Sequence, residues 1–284
     1  MFAGHDPFLV ALSATVAILG GYTGFGLAAR LRASPEANRR LLLAVGAAFL
    51  ALGIWTMHFI GMLAAPMPPD VVYLALPTVV SFLICLLVVG VSLFFVSIGE
   101  PSHPRILVSA LLLGIGIASM HYVGIHGIAG HFVIEHDYGI VLLSVLIAIG
   151  AAYGGLRIYL AQPGVLRLAL SAVAFGFAVS GMHYTAMYGM HFRPVGETGM
   201  DHAMMMDGLA ASPQLLALVV ALLCFLIAGG FLLFLVPEAR QRSSAAAGPL
   251  GVESGGDAGS RMQGRPECRR RNRSSARSSP SSRA

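Results

Sequence analysis

"GMHYTAMYGM", residues 181–190, closes a long apolar run and sets a histidine between methionine and tyrosine at a depth where hydrocarbon is expected. Two other stretches repeat it: "GIWTMHFIGM" (53–62) and "GIASMHYVGI" (116–125). Their histidines, His58, His121 and His183, are 63 and 62 residues apart. That period fits one pair of membrane-length helices with its two loops. The reading is an all-α membrane protein of seven transmembrane helices: three repeated two-helix hairpins plus a seventh helix. Same-sense repeats bring three equivalent helix faces to a shared pseudo-threefold axis.

Composition agrees. The chain has 284 residues, of which 56% are hydrophobic and only 11% charged, with a mean hydropathy of +0.78. Soluble domains carry about 25% charged residues. Seven apolar stretches reach the roughly 20 residues needed to span a bilayer, near 8–29, 41–63, 75–98, 106–128, 139–160, 168–190 and 213–236. Glycines in "GGYTGFG", "GIG" and "GAAYGG" offer small surfaces for helix contact. Residues 1–237 form one membrane domain. Residues 238–284, rich in Ser, Gly, Pro and Arg, read as a disordered basic tail, too short for a catalytic output domain.

Charge sets the orientation. Arg30, Arg32, Arg39, Arg40, Arg105, Arg167 and the tail arginines lie on one side. The other side has Arg193 and most of the acids: Asp6, Asp70, Glu135, Asp137, Glu197, Asp201 and Asp207. Basic loops stay cytoplasmic, which places the N-terminus outside and the C-terminus in the cytoplasm, with the tail arginines near anionic lipid. The first span has its basic cluster after it, the reverse of a cleaved signal. Lysine is absent, which excludes a retinal Schiff base and lysine-dependent catalysis. Cys85, Cys224 and Cys268 make neither a disulfide framework nor a Cys-rich zinc site. No paired carboxylates, Ser/His/Asp set or phosphate-cradling motif is present, so no enzyme activity is expected, and no nucleic-acid partner.

Methionine is the unusual residue. Apart from Met1 and Met262, all methionines fall at the outer ends of the even-numbered helices or in the outer loops, and nine of ten histidines share that side. Filler methionine would scatter. His58 and Met62 are four residues apart, as are His183 and Met187, and so share a helix face. The second repeat has Ile125 at that position, with His126 one residue later as a substitute pointing about 100° away. Met57, Met120 and Met182 precede each histidine on an adjacent face. The candidate metal ligands are therefore Met57, His58, Met62, Met120, His121, His126, Met182, His183 and Met187. Thioether sulfur is soft and neutral, which favours copper. The loop "GMDHAMMMDG" (199–208) reads as a copper-capturing segment. Tyr122 and Tyr184 are expected to orient the histidines through their hydroxyls. Trp55 and Tyr188 are expected in the interfacial belt, His131, His136 and His191 in solvated loops where each is also placed to assist capture, and Arg193 beside Glu197.

The three Met-His-aromatic triplets, Met57-His58-Phe59, Met120-His121-Tyr122 and Met182-His183-Tyr184, resemble the MHYT family of bacterial integral-membrane sensor domains. The resemblance implies copper near the outer face of the cytoplasmic membrane, sensing of a diatomic gas (oxygen, CO or NO) or redox state, and a link to cyclic-di-GMP or DNA-binding output. Phe59 departs from the pattern, and a separate cytoplasmic signalling partner is expected. Two other readings stay open: a haem protein with axial His or Met ligands, and a copper-trafficking protein.

Overall fold

The computed structural model describes residues 4–30, 36–97, 102–160, 164–194 and 209–246. They form seven long helices: α1 (Pro7–Ala29), α2 (Glu36–Ala64), α3 (Ala75–Ser97), α4 (His103–His126), α5 (Tyr138–Leu160), α6 (Val165–Tyr188) and α7 (Pro213–Ala246). All seven are long and apolar enough to cross a membrane. Polar caps start several of them. Asp6 Oδ1 accepts from the Phe8 and Leu9 amides at 2.8 and 3.2 Å, and Asp137 Oδ1 accepts from Gly139 and Ile140 at 2.8 and 3.3 Å. Both satisfy amides that a helix start otherwise leaves unpaired.

Helix pairs α1–α2, α3–α4 and α5–α6 pack as hairpins, and the contacts α2–α3, α4–α5 and α6–α1 close them into a ring. The seventh helix lies outside the ring, with Phe231 and Phe234 edge-on to Tyr22 of α1 at 5.4 and 5.9 Å. Its leucines Leu215, Leu218, Leu222 and Leu232 are exposed, as a lipid-facing helix requires. Lipid gives no hydrophobic drive for helix association, so close packing of small residues matters most. A Cβ on Gly20 would stand 2.6 Å from the Gly53 Cα, and one on Gly24 would stand 2.8 Å from the Gly46 carbonyl oxygen. The backbones of α1 and α2 therefore touch. In "GAAYGG" the expectation holds only in part: Gly155 packs on Phe175, whereas Gly150 and Gly154 face open space.

Two features differ from the sequence reading. First, the loops at the Pro7 end form five short strands: β1 (Val72–Leu74), β2 (Ile128–Ala129), β3 (Phe132–His136), β4 (Met190–Pro194) and β5 (Ala210–Ala211). They make a β2-β1-β5 sheet and an antiparallel β3-β4 pair. These pairings join loops far apart in sequence, so no local pattern announces them. Second, α7 runs on to Ala246, past Glu238, into the segment read as a tail. Glu, Ala, Arg and Gln are good helix formers and extend a helix already nucleated. The tail beyond Ala246 and the methionine-rich loop 199–208, apart from Leu209 onward, lie outside the described residues.

Candidate metal centre

The three repeated histidines meet. The Nδ1 atoms of His58, His121 and His183 are 3.0 Å apart for His58–His121 and 3.2 Å apart for the other two pairs. The rings stand nearly perpendicular to one another, at 77–87°, with centroids 4.8–5.1 Å apart. All three residues are at most 1% exposed. Helices α2, α4 and α6 each supply one, from equivalent positions of the repeat.

This arrangement is incomplete by itself. A neutral imidazole has one N–H and one lone pair, so three Nδ1 atoms cannot satisfy all three mutual contacts. If the lone pairs face inward they repel, and the N–H groups then fall on Nε2. Each Nε2 is buried without a hydrogen-bond partner of good geometry, although the Gly61 backbone also touches the His183 imidazole. A shared proton satisfies one pair at most. A metal ion satisfies all three lone pairs together. The centre of a triangle with sides of 3.0–3.2 Å lies about 1.8 Å from each nitrogen, close to a metal–imidazole bond of about 2.0 Å. Among the described residues this is the one group of three or more His, Cys, Asp or Glu side chains placed to hold a metal. The donor set is neutral, which suits a buried site in lipid.

Of the other candidate ligands, Met57, Met62, Met120, Met182 and Met187 are all buried in the surrounding core. Ile125, in the place of the second repeat's methionine, is also buried. His126 is not brought to the cluster. It is exposed and stands against His136, with ring centroids 6.2 Å apart.

The aromatic residues act differently from the expectation. Tyr122 and Tyr184 touch His121 and His183 through their ring edges, at 5.0 and 4.9 Å between centroids. Their hydroxyls bond serines instead: Tyr122 with Ser144 at 2.7 Å and Tyr184 with Ser13 at 2.8 Å. Ser13, Ser81 and Ser144 each donate to the carbonyl three residues back, at 2.7 Å, which fixes them as acceptors. The tyrosines therefore donate. Phe59 lacks a hydroxyl, and its counterpart serine, Ser81, accepts from Trp55 Nε1 at 3.0 Å. Trp55 is accordingly buried and not in a lipid-facing belt, whereas Tyr188 is exposed. Sequence reasoning missed these serines, yet the signal was present: each is the seventh residue of α1, α3 or α5. The tyrosine of α6 uses the serine of α1, so six helices complete the ring without α7.

Replacing Tyr184 by Phe is expected to cost about 1 kcal/mol, the net worth of one hydrogen bond. Ser13→Ala strands a buried hydroxyl and is expected to cost more, about 1–3 kcal/mol. Thermal unfolding in detergent measures both, and metal content should be unchanged in each.

Two glycines were also missed. A Cβ on Gly61 would run into the imidazole of His183, and one on Gly124 into that of His58. Both lie three residues after a cluster histidine, and Ala186 holds the same position in the third repeat. Helices α2 and α4 thus clear space for the ring from the preceding repeat.

At the strand-bearing end, Arg193 pairs with Glu135 at 2.7 Å, because β3 and β4 bring Val133 opposite Arg193 and Glu135 opposite His191; Glu197, its expected partner, lies outside the described residues. His131 is exposed and clamps Asp70, whose Oδ2 accepts from the His131 amide and Nδ1 at 2.8 Å each. Those bonds, the amide first, hold the Asp70 carboxyl below its ordinary range. His136 is half-buried and not a solvated loop residue. Burial and the neighbouring His126 push its imidazole below the usual value. An apolar cavity of about 430 Å³ lies among α2, α3 and α7, lined by Trp55, Phe82 and Leu216. The histidines do not line it.

Repeated helices enclosing a buried three-imidazole centre define a membrane domain of repeat architecture. The family model MHYT, described as a bacterial signalling protein N terminal repeat, matches residues 51–109 and 114–172, and the chain belongs to that family. It is similar to the bifunctional diguanylate cyclase/cyclic di-GMP phosphodiesterase MucR of Pseudomonas aeruginosa, with 34% identity over 69% of this chain and 29% of MucR. The signaling protein YkoW of Bacillus subtilis is 29% identical over 66% of this chain and 24% of its own length. The cyclic di-GMP phosphodiesterase NbdA of Pseudomonas aeruginosa is 34% identical over 64% of this chain and 24% of its own length. The matched region spans less than a third of each of these relatives. No solved structure matches.

Proposed function

We propose that this chain is a copper-dependent sensor of the bacterial cytoplasmic membrane, responding to oxygen, CO, NO or redox state, and not itself an enzyme. The single observation that carries this reading is the buried triangle of three Nδ1 atoms with no internal way to satisfy them. Imidazole alone suits zinc, copper, iron and nickel. The buried thioethers of Met57, Met62, Met120, Met182 and Met187 tilt the choice to copper, as does the family resemblance. Copper held there supplies a one-electron centre with affinity for diatomic ligands.

The protein's own residues do the rest. His58, His121 and His183 hold the ion and keep it from water. Phe59, Tyr122 and Tyr184 fix the ring planes by edge contacts, and the serines of α1 and α5 anchor the tyrosines. Any change in the nitrogen triangle moves α2, α4 and α6 together, because each contributes one corner. That coordinated shift is what a cytoplasmic partner would read at the other end of the bundle. With the basic loops in the cytoplasm, the cluster lies near the outer face. MucR, YkoW and NbdA supply the analogy for signalling, and cyclic-di-GMP output is proposed by that analogy.

The haem reading has less room: rings meeting at 3.0–3.2 Å leave no slot between them for a porphyrin. Protein purified in mild detergent is expected to hold copper and to show no Soret band. A Soret band, or zinc retained in preference to copper after exposure to both, would overturn the assignment.

A further inference from the structure

His126 was read as a stand-in ligand for the buried cluster, yet it sits apart with a different set of partners. Its ring faces that of His136 at 6.2 Å between centroids. His136 closes strand β3, and its register partner on β4 is Met190. Directly opposed residues of an antiparallel pair have Cβ atoms about 5 Å apart on one face. The strand pair is pinned at this point by the Asp137 amide, which donates to the Gly189 carbonyl at 2.9 Å. Met190 is only 8% exposed, and His136 Nε2 is buried without a hydrogen-bond partner. His126, by contrast, is exposed. Two imidazoles and a thioether therefore gather at the strand-bearing end, with one side open to water and one side buried.

The spacing is at the upper limit for a shared ion. A metal lies about 3 Å from the centre of each imidazole it binds, given bonds of about 2.0 Å. Two rings on one ion then have centroids up to about 6 Å apart. Behind this pair, the Tyr122 ring contacts His136 at 5.6 Å and His121 at 5.0 Å. One aromatic ring separates the surface group from the buried cluster. Glu135, His191 and Arg193 lie on the opposite face of the strand pair, by strand alternation, so no carboxylate from the strands joins the group.

We propose that His126, His136 and Met190 form a second, shallower site for a soft cation, Cu(I), which captures the ion before it reaches the buried histidines. The set is neutral and soft, which selects Cu(I) over calcium or magnesium. The position of Tyr122 makes this site the antechamber of the cluster. The capture role rests on the copper reading above, whereas the binding site stands on its own geometry.

The test is a Cu(I) titration of the full chain in detergent against a competing chelator, with loading followed over time. The wild type should bind two Cu(I) per chain. His136→Ala, Met190→Leu and His126→Ala should each bind one and load at least 10-fold more slowly. His126 is exposed, so its variant tests the site with little demand on folding. His191→Ala, altered on the other face of the strand pair, should behave as the wild type. A chain with all three cluster histidines replaced should keep one Cu(I). Binding of a single Cu(I) by the wild type, lost only in the cluster variant, overturns this second site and leaves the sensor reading standing. Two Cu(I) retained in the cluster variant overturns the sensor reading instead. Two retained in all three site variants overturns the antechamber.

Discussion

A chain with His58, His121 and His183 all changed to alanine is expected to insert and fold but to hold no copper at the buried centre. The expectation rests on what the cluster does without metal. Its Nδ1 atoms crowd to 3.0–3.2 Å and its Nε2 atoms have no hydrogen-bond partner of good geometry, so removing the imidazoles takes away buried polar groups that gain little in the metal-free protein. Alanine leaves a cavity, which costs stability. A companion variant with leucine at all three positions refills most of that volume. Replacing both partners of a buried polar contact by apolar groups of similar shape is close to neutral or stabilising. The leucine variant should therefore match the metal-free wild type in unfolding temperature. The wild type should then gain more stability on adding copper than the leucine variant does, by about 2.7 kcal/mol when free copper is 100 times the dissociation constant of the buried centre. Thermal unfolding with and without copper measures this. An equal copper-dependent gain in the leucine variant would mean that the histidines are packing residues.

Gly61→Ala and Gly124→Ala are expected to have the next largest effect. Each new methyl collides with an imidazole held by a different repeat, His183 for Gly61 and His58 for Gly124. The ring has no free space to retreat into, because both histidines are fully buried against their neighbours. It must tilt away, and the Nδ1 atom leaves the triangle. Loss of copper affinity should be about 10- to 100-fold, the usual range when a residue that orients a ligand is altered. Gly150→Ala provides the control. It too is a helix-interior glycine, but a Cβ there meets nothing within 4 Å. That change should leave affinity unchanged and add about 1 kcal/mol of stability through helix propensity. Competitive copper titration separates the two classes, and similar affinities in all three variants would remove the steric account of the glycines.

Much of this site was legible before the structure, for physical reasons. Hydropathy located the seven helices, since a bilayer tolerates only long apolar segments with satisfied backbones. The period from His58 to His121 to His183 located the cluster, because same-sense repeats place equivalent residues around one axis. Helix ends were less readable: α2 begins at Glu36, on a charged turn that hydropathy excludes, and α7 runs on to Ala246. The chemistry around the cluster was the least readable part. Nothing local says that Tyr184 donates to Ser13, a residue 171 positions away, or that Trp55 takes the serine that Phe59 leaves free. His126 was drawn to the cluster by its neighbour Ile125 in sequence. Its true partner, His136, comes from a strand whose pairing with β4 depends on loops that only the closed ring brings together.

X-ray absorption at the copper edge of the loaded protein tests the central claim most directly. Three nitrogen scatterers at about 2.0 Å, with the multiple-scattering pattern of imidazole, are the predicted result for the buried copper, and their contribution should disappear in the three-leucine variant, leaving only the two-nitrogen, one-sulfur shell of the shallower site. A shell of sulfur or oxygen alone, or an unchanged nitrogen shell in that variant, would contradict a metal centre built on His58, His121 and His183.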